Sequence, residues 1–349
     1  MKWAKTHFHA KYNLAGSGLT NYPLSELPVT LNDLELTGDS YYGYEPLQKT
    51  IGDIYNVSQD KIFFTLGTSF ANFMVMAALF EPGDDIIIEN PAYELLVSTA
   101  GYAGYEVKRF HRKFNEGFRV NPAAIRNEIS ANTKLIMLTN LHNPSSVFTD
   151  AATLKEIAGI AASVGAYVCV DEVYLDAASD VRPSSSIHLG DNFIVTSSLT
   201  KVYGISGLRA GWIFAQPELI RKMWHLSDLF YVKHVHLAER LGLIAFQNLD
   251  KIKARSRSIL DRNHKLVNDF LSSRDDLEAH YPGFGTMIFP RLKKGSVDDL
   301  SLILTDKYDT AITPGRFFDM PDFFRIGLGC EPILFQEGLR RIESALEEL

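Results

Sequence analysis

The chain has 349 residues, of which 46% are hydrophobic and 22% charged, and a formal net charge of -7. That balance belongs to an ordered globular protein, long enough for two domains, and the acidic excess removes the electrostatic basis for nucleic-acid binding. No run approaches the ~20 apolar residues that span a bilayer, and Met1 to His7 is not followed by an apolar signal core, so the expectation is a cytoplasmic protein without a membrane partner.

Residues 1 to 40 are dense in Gly, Pro, Asn and Thr and carry little periodicity, which predicts an arm that packs on another part of the fold. Glu45 to Tyr55 reads as a short helix after the cluster Tyr41, Tyr42 and Tyr44. Short apolar runs then alternate with helical stretches: Ile62 to Phe64, Ile86 to Ile88, Leu135 to Leu138, Tyr167 to Val170, Phe193 to Val195 and Trp212 to Phe214. Continuous apolar runs suit strands buried on both faces, so the expected fold class is α/β with a mostly parallel sheet in a large domain. Beyond Gln216 helices are expected over Pro217 to Leu229, His234 to Leu249 and Lys251 to Leu271. A smaller α+β domain follows, with strand-like Thr286 to Phe289 and Phe323 to Ile326 and helices over Val297 to Lys307 and Ile333 to Glu348. The predicted division is an arm over 1 to 40, a large domain over 41 to 250, and a small domain over 251 to 349 opened by the long helix 251 to 271.

Several strand ends carry chemistry. Gly67-Thr68-Ser69 follows one strand and opens a helix, where free backbone N–H groups and the helix dipole favour an anion; simple N-capping by either hydroxyl is the alternative use. Asn90-Pro91-Ala92-Tyr93 puts an aromatic ring past the next strand, and Asn140 to Ser146 forms a turn containing Asn143-Pro144. Asp171-Glu172-Val173-Tyr174 closes another strand; two acids without a nearby histidine make a poor metal site, and the pairs His7/His9 and His234/His236 lack a third ligand, so no metal is expected. Ser198-Leu199-Thr200-Lys201 ends the next strand, with Gly204, Gly207, Arg209 and Gly211 after it. A lysine held there loses water, which lowers its pKa and frees a neutral amine as nucleophile or base. Arg325 is a charge within an apolar strand, and its guanidinium suits a carboxylate. Cys169 and Cys330 read as reduced thiols.

Ser198, Lys201, Gly207, Arg209 and Gly211 together resemble the lysine motif of the fold-type I pyridoxal-phosphate enzymes, the aminotransferase class I and II family, and the other segments fall in that family's order. The resemblance implies pyridoxal 5'-phosphate as cofactor and Lys201 as its Schiff-base lysine. Asp171 would pair with the pyridinium nitrogen, Asn143 and Tyr174 with the phenolic oxygen, and Tyr93 would cover the ring. Gly67, Thr68, Ser69, Ser198 and Arg209 would hold the phosphate. Arg325 would take the substrate carboxylate, with Gly16 and Asn143 beside it. Tyr42, or Tyr41, would cross a homodimer interface to the neighbour's phosphate, so that the two active sites are shared. Leu141, Ser145 and Ser146 stand where the family usually has Pro, Thr and Gly, which leaves the path of that loop open.

The implied activity is transfer of an amino group from an amino acid to a 2-oxo acid. Lyase, decarboxylase, cyclase or racemase chemistry shares the same residues, and the short chain is also similar to histidinol-phosphate aminotransferases. A serine acyl-enzyme reading of Ser198-x-x-Lys201 fails for want of a later Lys-Thr-Gly. A non-catalytic cofactor-binding regulator lacks a recognisable DNA-binding region.

Overall fold

The computed structural model describes residues 9–178, 181 and 183–349; His7, and with it the pair His7/His9, lies outside them. After the short strand β1 (Tyr12–Asn13), seven strands build one sheet: β2 (Ile62–Leu66), β3 (Asp85–Asn90), β4 (Glu106–His111), β5 (Thr133–Thr139), β6 (Tyr167–Asp171), β7 (Phe193–Ser198) and β8 (Ala210–Phe214). Their order is β2-β8-β7-β6-β5-β3-β4, and β8 alone runs antiparallel to its neighbours.

Side chains alternate across the sheet and feed separate cores on its two faces. Ile86, Ile88, Leu135, Met137, Cys169, Ile194 and Ile213 pack on one face beneath the helices Thr68–Leu79 and Pro217–Ser227. Ile87, Ile136, Leu138, Val168, Val170 and Phe193 pack on the other, against the helix Ala151–Ala162. Each fully buried Ile or Leu contributes roughly 1.5–3 kcal/mol, and burial on both faces is why these strands read as unbroken apolar runs.

β4 escaped that criterion. It lies at the sheet edge, where Lys108 and Arg109 keep contact with solvent and only Phe110 is fully buried, so its pattern is charged and mixed. Lys108 Nζ bonds Asp85 on β3 at 2.7 Å, which fastens the edge. The helical region after Gln216 also differs in its breaks: His236–Gln247 is followed at once by the 24-residue helix Leu249–Ser272. That helix buries Leu249, Ile252, Ser256, Ile259, Leu260, Asn263, Val267 and Phe270 at three and four spacing, a single stripe facing the core.

The C-terminal part carries the strand pair β9 (Leu277–Glu278) and β11 (Arg291–Leu292) and an antiparallel sheet in the order β10 (Met287–Ile288), β14 (Phe324–Gly327), β13 (Thr313–Pro314). Asn263 Nδ2 donates to the carbonyls of Leu328 at 2.7 Å and Cys330 at 2.8 Å, pinning the long helix to the end of β14. The arm closes this layer: β1 pairs in parallel with β12 (Thr310–Ala311), and Gly327 N donates to Leu14 O at 2.7 Å. Cys169 is buried in the sheet, Cys330 is partly buried, and both are free thiols. Among the described residues no helix is long and apolar enough to cross a membrane.

Candidate active site

The carboxyl ends of β2, β3, β5, β6 and β7 deliver Gly67, Tyr93, Asn143, Asp171 and Lys201 to one edge of the sheet, where open α/β sheets bind ligands. A cavity of about 560 Å³ opens there. Of the residues singled out from sequence, Gly16, Thr68, Ser69, Tyr93, Asn143, Asp171, Tyr174, Ser198, Lys201, Arg209 and Arg325 line it. Gly67 lies behind the wall, and Tyr42 lies away from the cavity, half exposed and tilted against Trp224 at 5.2 Å.

At one end the helix Thr68–Leu79 points its N-terminus into the cavity, and no side chain caps it. Thr68 does not act as a cap: its hydroxyl bonds Ser198 Oγ at 2.8 Å, and Ser198 Oγ bonds Thr200 Oγ1 at 2.9 Å. The opening N–H groups and a chain of three hydroxyls therefore converge, with Arg209 above them donating to Leu66 O at 3.3 Å. The approach is too close for side chains on the two glycines. A Cβ on Gly211 would meet the Gly67 backbone at 2.7 Å, and one on Gly67, whose φ is +80°, would meet the Arg209 guanidinium at 2.5 Å. The result is a small cup of donors and positive charge suited to a phosphate.

Across the cavity Asp171 is buried and accepts from Asn72 Nδ2 at 3.0 Å and from Val173 N at 3.1 Å. Burial pushes its carboxyl up to about 6, opposed by those two bonds and by Lys201. Asn72 was not anticipated, although it sits one turn after Thr68, a polar residue on the buried face of an apolar helix, which is a readable signal. Its own carbonyl accepts Thr196 Oγ1 at 2.7 Å, so the amide is locked with its N–H groups toward Asp171.

Lys201 Nζ donates to Ser17 Oγ at 2.9 Å, and Tyr174 Oη reaches the same oxygen at 2.9 Å. Burial, followed by the charges of Arg325 and Arg209, lowers the lysine to about 8, while Asp171 acts in the opposite sense. Burial pushes Tyr174 up to about 12, so it stays a neutral hydroxyl. Ser17 was also missed; Gly16-Ser17-Gly18 in an aperiodic arm carries no sign of the contact.

Arg325 is buried in β14 and donates to Asn143 Oδ1 at 2.8 Å, to Ala15 O at 2.8 Å and to Thr313 Oγ1 at 3.4 Å, while its Nε has no hydrogen-bond partner among the described residues. The bond to Oδ1 leaves the Asn143 amide N–H groups as donors. The loop after Asn143 follows from its serines: Ser146 has a left-handed φ of +59° and donates to Met287 O at 2.7 Å, and Ser145 Oγ bonds His142 Nδ1 at 2.6 Å.

Beneath this loop lies a buried ion pair, Arg112 to Glu89 at 2.8 Å, both side chains fully sequestered. Glu89 also accepts Thr139 N at 2.7 Å, and His142 Nε2 bonds Pro91 O at 2.9 Å, joining the Tyr93 loop to the Asn143 loop. Burial keeps His142 well below its ordinary value and hence neutral. Glu89→Ala leaves the Arg112 charge buried and alone, so a loss of about 3–5 kcal/mol in urea unfolding is expected. A loss below about 1 kcal/mol would show that the Arg112 charge finds another partner.

Glu172, next to Asp171, faces away and accepts Ser186 N at 2.7 Å and Ser186 Oγ at 2.6 Å. His236 Nδ1 bonds Ser40 Oγ at 2.8 Å, and among the described residues no group of three or more His, Cys, Asp or Glu could hold a metal ion.

The chain is similar to known proteins in both sequence and fold. A family model described as aminotransferase class I and II matches residues 35–342. Capreomycidine synthase of Streptomyces vinaceus is 27% identical, over 97% of this chain and 91% of its own. An aspartate aminotransferase of Sulfurisphaera tokodaii is 24% identical, over 89% of this chain and 82% of its own. Among solved structures, a PLP-dependent aminotransferase from Streptococcus suis superposes with a TM-score of 0.94 at 25% identity, covering 99% of this chain and 96% of that one. The PLP-dependent cyclase OrfR superposes with a TM-score of 0.89 at 22% identity, covering 99% and 96%, a likeness of fold.

Proposed function

Since the chain belongs to the aminotransferase class I and II family, whose cofactor is pyridoxal 5'-phosphate, we propose that it moves an amino group from an amino acid to a 2-oxo acid, with Lys201 as the lysine that bonds the cofactor. The observation that carries this reading is the single cavity in which an anion cup, a buried carboxylate and a lysine amine of lowered pKa face one another. The residues fit the group. The cup suits a phosphate, and Asp171, a costly buried carboxylate for which Lys201 is the one cation acting on it among the described residues, would gain a partner from a protonated ring nitrogen.

When bound, pyridoxal 5'-phosphate supplies an electron sink for the charge left as a substrate Cα–H bond breaks. The chain supplies the rest. Gly67, Thr68, Ser69, Ser198 and Arg209 would hold the phosphate, Tyr93 would cover the ring, and Asp171, oriented by Asn72, would keep the ring nitrogen protonated. Asn143 and Tyr174 would donate to the phenolic oxygen. Arg325, with Gly16 and Asn143 alongside, binds the substrate carboxylate and so aims Cα at Lys201, whose neutral amine removes the proton and then returns it. Near pH 8 about half of the Lys201 amine is neutral, against well under a hundredth for an ordinary lysine at 10.5.

The same reading makes the protein a homodimer in which the exposed Tyr42, or its neighbour Tyr41, would reach the partner's phosphate cup. It also keeps the division into an arm (1–40), a large cofactor-binding domain (41–250) and a small domain (251–349).

A second reading is cyclisation of an amino acid on the same residues, favoured by the likeness to capreomycidine synthase over nearly the whole chain. A panel of amino acids mixed with the protein and a 2-oxo acid separates the two. Transamination yields a new 2-oxo acid and the aminated partner in equal amounts; product formation that releases no 2-oxo acid from any donor rules it out.

A further inference from the structure

Ser17 has no part in the chemistry above, yet it is the side chain that both Lys201 and Tyr174 touch. Its hydroxyl is buried, 2.9 Å from Lys201 Nζ and 2.9 Å from Tyr174 Oη. We propose that Ser17 is a further catalytic residue: its hydroxyl receives the Lys201 amine whenever that amine is not bonded to the cofactor, and holds it in position for proton transfer. The role rests on the proposed function of Lys201, and the contact rests on geometry alone.

The backbone around Ser17 is built to keep it there. Thr286 Oγ1 donates to Ser17 O at 2.8 Å, and Leu19 N donates to Lys201 O at 2.8 Å. Between them Gly18 lies so close that a Cβ would stand 3.2 Å from the Lys201 Cα and carbonyl oxygen. Two residues before Ser17, Ala15 O accepts the Arg325 guanidinium at 2.8 Å. A short run of the arm thus ties the group proposed to bind the substrate carboxylate to the group proposed to move its proton.

A serine suits both protonation states of the lysine. The ammonium donates to Ser17 Oγ; the neutral amine accepts the Ser17 O–H, and neither bond needs the Tyr174 proton, which the phenolic oxygen would take when the cofactor is bound. The hydroxyl turns around between these states and neither gains nor loses a proton. The bond to the ammonium is charge-assisted and the stronger of the two, so removing the hydroxyl disfavours the charged form.

The test compares wild type, Ser17→Ala and Ser17→Thr. In full-length protein freed of cofactor, cyanate labelling of Lys201 is followed against pH by peptide mass spectrometry. The wild-type midpoint is expected near the lowered value of about 8. Ser17→Ala should fall about one unit below wild type, with Ser17→Thr restoring it. In the holoenzyme, exchange of the amino-acid α-hydrogen with solvent should slow about 10-fold in Ser17→Ala, with substrate affinity unchanged. An unmoved midpoint in Ser17→Ala, an equal shift in Ser17→Thr, or unchanged exchange overturns the proposal. A wild-type protein that labels as expected but exchanges no α-hydrogen removes the proposed function, and the catalytic role with it, while the labelling result still reports the Ser17 contact.

Discussion

Lys201→Ala is expected to abolish the visible absorbance of the lysine-bound cofactor and to lower turnover by about 10⁴-fold. Two losses combine: the amine that bonds the cofactor, and the base that moves the α-proton. Neither is replaced from nearby, because the guanidinium groups of Arg325 and Arg209, whose charges act on Lys201, offer only N–H donors. The phosphate cup is untouched, so the variant should still take up cofactor, with an absorbance maximum matching the free aldehyde. Stopped-flow spectra with an amino donor, together with turnover at saturating cofactor, measure both effects. Retention of the lysine-bound spectrum, or a turnover loss below about 10-fold, would mean that another residue does this work.

Asp171→Asn is expected to lower kcat by about 10²–10³-fold while leaving cofactor affinity within a few-fold of wild type. The substitution preserves shape but removes the negative charge, so a buried ring nitrogen no longer holds its proton and withdraws electrons less well. The effect falls on the rate because the phosphate would be held by other groups, at the helix N-terminus and Arg209, which the substitution leaves in place. Asp171→Glu keeps the charge but overfills a site closed by Asn72 and the Val173 amide, and should recover part of the rate. Steady-state rates at saturating cofactor decide the matter; a kcat within about threefold of wild type for Asp171→Asn would exclude a charge role for Asp171.

Much of this arrangement could be read from the chain because strand ends and special residues coincide. Lys201, Asp171, Asn143 and Gly67 each follow an apolar run, and a run buried on both faces leaves little freedom over where it ends. β4 was illegible for the opposite reason: an edge strand needs only one buried face, and its Lys108 and Arg109 look like any solvated segment. The path after Asn143 could not be foreseen either, since it depends on Ser146 finding Met287 O, a partner 141 positions away. The partners of Ser17 and Asn72 are likewise distant, Lys201 lying 184 positions from the first and Asp171 99 from the second. Buried polar residues in a helix can be noticed from sequence, as Asn72 illustrates; a serine in an aperiodic arm cannot.

The place of the cofactor linkage tests the central claim most directly. Reducing the loaded protein with borohydride fixes the cofactor to its lysine, and peptide mass spectrometry then reads the position. The added mass is expected on the peptide containing Lys201 and on no other; the mass on a different lysine, or on none, would contradict the assignment of Lys201.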